Sequence, residues 1–99
     1  MNKQPVSSPI HVTVKTSARR YFDSLKNEEV VYLLWDVDGV STKSGWTAFA
    51  YPENQFRIRS RVPFVTRLCG RKVVISDADR IAELNGKVLT YERGRLQLT

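Results

Sequence analysis

The stretch V30-VYLLWDVDGVSTKSG-W46 joins the most apolar run of the chain to its most chemically suggestive loop. From Val30 to Val37 the residues are almost continuously apolar, with β-branched and aromatic members. Such a run predicts an interior strand covered on both faces. Asp36, Asp38 and Gly39 end it, and a polar, turn-prone loop is expected from about Asp38 to Gly45. Trp46 to Tyr51 resumes as a strand. Pro52, Glu53 and Asn54 then turn the chain back into Gln55 to Arg61, which predicts a hairpin.

On the N-terminal side, Ile10 to Lys15 alternates apolar and polar residues, as in a strand with one face on a core. His11 then faces outward. Thr16 or Ser17 can cap a helix, because Ala18, Tyr21, Phe22 and Leu25 follow at the spacing of one apolar stripe. Arg19, Arg20 and Lys26 lie on its outer face. Met1 to Pro9 is polar, holds two prolines and lacks periodicity, so a flexible N-terminal arm is expected there. On the C-terminal side, Pro63 can open a short helix through Phe64, Val65 and Leu68, with Gly70 ending it. Lys72 to Ile75 reads as a short strand, and Ser76 as the cap of one or two helical turns through Ile81 and Leu84. Lys87 to Tyr91 and Arg95 to Thr99 flank Glu92, Arg93 and Gly94 as a second hairpin. The expected architecture is therefore a single α+β domain over residues 10–99. It has a small mixed sheet with hairpins, one main amphipathic helix and short helices.

A chain of 99 residues suffices for one modest core. Its 41% apolar content is that of a globular protein. Sixteen Lys and Arg against ten Asp and Glu leave +6, which favours an acidic partner such as nucleic acid, an acidic protein face or an anionic membrane. The one cysteine, Cys69, permits neither a disulfide framework nor a multi-thiolate metal site within one chain. A reducing cytoplasm is the expected compartment. No membrane association is expected, since no apolar run approaches a spanning helix.

Leu33 to Val40, LLWDVDGV, resembles the first motif of the haloacid dehalogenase superfamily. That resemblance implies a magnesium-dependent phosphohydrolase with Asp36 as nucleophile and Asp38 as acid and base. Two carboxylates at a strand end do suit a hard cation. The rest of the chain, Ser41 to Thr99, is short for the alternating α/β architecture and the further motifs this requires.

The order of elements resembles the A-type iron–sulfur carriers, the HesB-like family. The matching residues are Val12, Thr13, Ala18 and Leu25, the loop Ser44-Gly45 followed by Trp46, and Leu84, Gly86 and Tyr91 within LNGKVLTY. The resemblance covers about Ile10 to Thr99 and implies that fold. It also implies a cluster held by a cysteine just before Ser-Gly and by a later Cys-Gly-Cys. Here Lys43 stands at the loop position, and no Cys-Gly-Cys follows. An ammonium group does not replace a thiolate at neutral pH, so no metal or cofactor is expected.

The strongest binding signal is basic. Arg57, Arg59 and Arg61 alternate along one predicted strand, and Arg67, Arg71 and Lys72 follow. No acidic residue lies between Arg57 and Lys72, and these six cations equal the net charge of the chain. Guanidinium forks suit phosphates and clustered carboxylates. Trp46, Tyr51 or Phe64 could stack on a partner where exposed. Cys69 and His11 have no indicated third member for nucleophilic catalysis. The expectation is a non-catalytic binding protein without a cofactor. Its partner-binding residues are Arg57, Arg59, Arg61, Arg67, Arg71, Lys72, Lys43 and Trp46, and its partner an acidic protein or protein–nucleic-acid complex. A phage or mobile-element inhibitor of a host complex fits this size. Direct nucleic-acid binding through the segment Arg57 to Lys72 is the alternative, and the phosphohydrolase a minor one.

Overall fold

The strand at the centre of the fold is β2, Glu29–Trp35, and its side chains alternate between two apolar environments. Val31 and Leu33 face the main core, whereas Val30 and Tyr32 face a second cluster on the opposite side. Burial on both faces explains why the sequence shows no polar alternation here. The computed structural model describes residues 10–35, 45–56 and 63–99. The expected N-terminal arm, most of the Asp38 to Gly45 loop, and Arg57 to Arg61 lie outside them.

The chain folds as α+β, with two sheets around a shared core. In the four-stranded sheet, β2 pairs antiparallel with β3, Trp46–Pro52, and parallel with β5, Arg71–Ile75. The outer strand β4, Phe64–Leu68, pairs antiparallel with β5, giving the order β3-β2-β5-β4. The three-stranded sheet has the order β1-β6-β7, built from Thr13–Val14, Val88–Glu92 and Arg95–Leu98. Helix α1, Thr16–Ser24, buries Ala18 and Phe22 in the core together with Leu84, Leu89 and Leu98.

Several sequence expectations are corrected. Pro63 to Leu68 forms no helix; its residues make β4. The spacing of Val65 and Leu68 imitates a helical stripe, but Phe64, Thr66 and Leu68 alternate toward one face. Cys69 is not helical either. It forms the two-residue turn between β4 and β5 with Gly70, at φ values of 51° and 78°. Left-handed dihedrals at both turn positions match the twist of the flanking strands. The first strand shrinks from Ile10–Lys15 to Thr13–Val14, the only two residues registered with β6. β3 pairs with β2, and most of the second strand of the predicted hairpin, Arg57 to Arg61, lies outside the described residues. Gln55 lies in a short 3-10 turn, Glu53–Gln55, instead of starting a strand. The turns after β5 are a 3-10 helix, Ala78–Leu84, and Ser76 does not cap them. Its hydroxyl accepts the Trp35 N–H at 3.0 Å and donates to Asp77 Oδ1 at 2.6 Å, extending the β2–β5 contact past the last strand residue. The C-terminal hairpin is found as read, within a residue at each end.

Candidate functional site

Residue registers across the four-stranded sheet determine what each face presents. On the side away from the helix, Phe49, Tyr32, Val74 and Val65 form one row from β3 to β4. Arg67 and Lys72 are paired in the neighbouring row. Phe56 folds onto this face, with its ring 4.7 Å from Tyr32, 5.2 Å from Phe49 and 6.3 Å from Tyr51. The aromatic rings thus spend their faces on one another. Tyr32 is almost fully buried, and Glu53 lies close enough to add to the burial that pushes its phenol upward from its ordinary pKa.

The cations expected from the sequence have different fates. The Arg71 guanidinium lies under the C-terminal end of α1. Its Nη2 donates to Phe22 O at 2.9 Å and Leu25 O at 3.4 Å, and its Nη1 to Lys26 O at 3.0 Å and Glu29 O at 3.2 Å. Two of these carbonyls also accept a backbone N–H, Phe22 O from Leu25 and Lys26 O from Glu29, and the last turn of α1 carries no basic residue of its own. Arg71 is therefore held within the fold, half-buried at the groove it lines. Lys72 forms an ion pair with Glu53. Arg67 is exposed on β4, with Nη1 donating to Gly70 O at 2.9 Å and its other N–H groups available.

Trp46 is fully buried, so its assignment to the binding surface is corrected. Its ring meets Trp35 edge-on at 5.6 Å, and Arg80 lies 4.3 Å over the Trp35 ring. Lys43, Arg57, Arg59 and Arg61, and the carboxylates Asp36 and Asp38 lie outside the described residues. Cys69 is exposed at its turn, with Arg19 Nη2 at 3.6 Å from the thiol sulfur. Among the described residues no group of three or more His, Cys, Asp or Glu is placed to hold a metal ion. No described helix is long and apolar enough to cross a membrane.

A groove of about 340 Å³ runs between the end of α1 and the β4–β5 turn. Asp23, Glu29 and Glu53 line it together with Arg67, Arg71 and Lys72, so its charges balance and it does not select anions. What sequence reasoning missed is Val65. It is 55% exposed on the outermost described strand of this sheet, beside Arg67. Its placement in a predicted helix concealed it; the alternation of Phe64, Thr66 and Leu68 against Val65 and Arg67 was the available signal. Neither a family model, a curated protein nor a solved structure matches the chain.

Proposed function

We propose that this chain is a non-catalytic binding domain whose partner is an acidic protein. The observation that carries the reading is the pairing of an exposed apolar residue, Val65, with an exposed guanidinium, Arg67, on the outermost described strand of the four-stranded sheet. Arg is enriched at protein interfaces, and Val65 adds apolar area beside it. The run from Arg57 to Lys72, without one carboxylate, adds the positive field that attracts such a partner.

The same geometry weakens the nucleic-acid alternative. Binding single strands needs rings with free faces. Tyr32 and Trp46 are buried, and Phe49 and Phe56 pack together; among the large aromatics of the described residues only Tyr51 is well exposed. Two of the basic residues of the run, Arg71 and Lys72, are also engaged within the fold. In this reading the iron–sulfur carriers that the sequence resembles supply a scaffold without the chemistry, since Cys69 is the sole thiol of the chain. The same thiol count supports a reducing, cytoplasmic setting.

Affinity capture from a host extract, with and without nuclease, tests the reading. The expected result is a captured protein that survives nuclease and is lost when Arg57, Arg59 and Arg61 are replaced together by Ala. Capture that vanishes with nuclease and falls steeply with salt would establish the nucleic-acid alternative instead.

A further inference from the structure

We infer that the outer edge of β4 takes up an extended acidic segment of the partner as an additional antiparallel strand. This rests on the acidic-protein reading above and specifies how that partner is held. The hydrogen-bond alternation fixes which backbone groups are available. Leu68 and Arg71 close the two-residue turn, so Leu68, Thr66 and Phe64 exchange bonds with Arg71, Val73 and Ile75. The even-numbered residues that follow on β5 face the other way, toward β2: Ser76 N–H bonds Leu33 O at 3.0 Å. By the same alternation the N–H and C=O groups of Val65 and Arg67 point away from β5. No described residue pairs with them. An unpaired edge of this kind is a template for another strand.

Side chains on the same two residues choose the occupant. Val65 and Arg67 lie two positions apart on one face, so an antiparallel strand meets Arg67 first and Val65 two residues later. The matching segment reads acidic, any residue, then β-branched apolar. A second copy of this chain is disfavoured. Antiparallel pairing of two β4 strands would bring two Arg67 side chains onto one face, between chains that each carry +6.

The probe is a capped synthetic peptide containing Glu-Thr-Val flanked by threonines, titrated into the isotopically labelled full chain and followed by amide NMR. The expected result is saturable binding in which the Val65 and Arg67 amides gain protection from exchange, while those of Thr66 and Leu68, already bonded to β5, do not change. N-methylation of the peptide Glu and Val, whose N–H groups would face β4, should weaken binding at least about tenfold, the loss of roughly one net hydrogen bond. N-methylation of the central Thr should not. Val65→Pro removes only an outward N–H and leaves the β4–β5 ladder donors in place, so it should abolish binding in a folded chain. Arg67→Glu should do the same through charge.

Binding that is lost in Arg67→Glu but indifferent to N-methylation and to the Val65 amide would overturn strand addition and leave the acidic-partner reading standing. No binding of the peptide at millimolar concentration would also overturn it, whatever the capture experiment shows. A concentration-dependent dimer broken by Val65→Pro would replace the acidic segment with a second copy. The exchange measurement decides the matter even if the proline variant does not fold.

Discussion

Arg71 shows how a single side chain can be diverted from a surface role. Its fork reaches four backbone carbonyls at the end of α1 and the turn after it, and a planar guanidinium spans such a set where an ammonium cannot. Arg71→Ala is expected to cost about 2–3 kcal/mol in a urea unfolding experiment, and Arg71→Lys to recover less than half of that. Gly45 is constrained differently. It has φ +82°, and a Cβ there would lie 2.5 Å from the Trp35 ring. Trp35 is itself held between Trp46 and Arg80 and has little room to yield. Gly45→Ala should destabilise by about 2–4 kcal/mol, combining a left-handed alanine with overpacking. Gly70 shares the positive φ but would meet nothing within 4 Å, so Gly70→Ala should cost only about 1 kcal/mol. A difference of that size between the two variants checks the packing argument.

At the scale of an element, α1 is incompletely capped. Lys15 occupies the N-cap position with extended backbone dihedrals and no side-chain hydrogen bond, and the first turn has no acidic residue. Ser17, an apparent cap in the sequence, instead accepts the Tyr91 N–H at 3.0 Å, which ties the helix to β6. Lys15→Asp should add a carboxylate acceptor for the first-turn amides and favourable charge at that end. A gain of about 0.5–1.5 kcal/mol is expected, read as a higher urea midpoint with an unchanged slope. The Lys15 N–H to Leu89 O bond at 2.9 Å is a backbone contact that the substitution leaves in place. The ring of Tyr21, 4.0 Å from that of Tyr91, joins the same two elements. Burial first, then Tyr91 and Glu29, raise the Tyr21 phenol from its ordinary pKa, as burial and Glu53 raise that of Tyr32. A raised folded pKa favours the protonated fold. This contribution is complete below the unfolded value near 10 and is lost as pH rises through the folded values. The urea midpoint should therefore fall on going above pH 10. Tyr21→Phe and Tyr32→Phe should each remove a late component from the alkaline phenolate titration.

The whole molecule unfolds as its shared core dictates. Leu89 of the three-stranded sheet and Leu33 of the four-stranded sheet are both fully buried in one cluster, so the two sheets share the main core, and only the smaller Val30, Tyr32 and Val74 cluster belongs to one sheet. Both tryptophans are strand residues of the four-stranded sheet, so fluorescence follows that sheet and the core it shares with the other. Leu89→Ala, made in the other sheet, should lower stability by about 2–4 kcal/mol. The fluorescence and circular-dichroism transitions should shift together. Separate transitions would mean that the sheets unfold independently and that the common core contributes little.

Local periodicity determined much of this architecture. The stripe Ala18, Tyr21, Phe22 and Leu25 dictated α1, the unbroken apolar run dictated a strand buried on both sides, and Glu92 to Gly94 dictated the last turn. Those signals are legible because they depend on neighbours in the chain. The basic composition from Arg57 to Lys72 was equally plain, but which cations are available was not. Arg71 is claimed by carbonyls of residues 22–29, Lys72 by Glu53, and Trp46 by a core assembled from both sheets. The strand between Phe64 and Leu68 was misread because five residues satisfy helical and extended spacing about equally, and only pairing with β5 decides between them. Thus the sequence by itself determined the α+β class, the helix, the central strand, the last hairpin and the sign of the charge. The tertiary structure alone decided that Val65 and Arg67 form an outer edge among the described strands, because edge position is a property of strand order and strand order is set by contacts between residues distant in the chain.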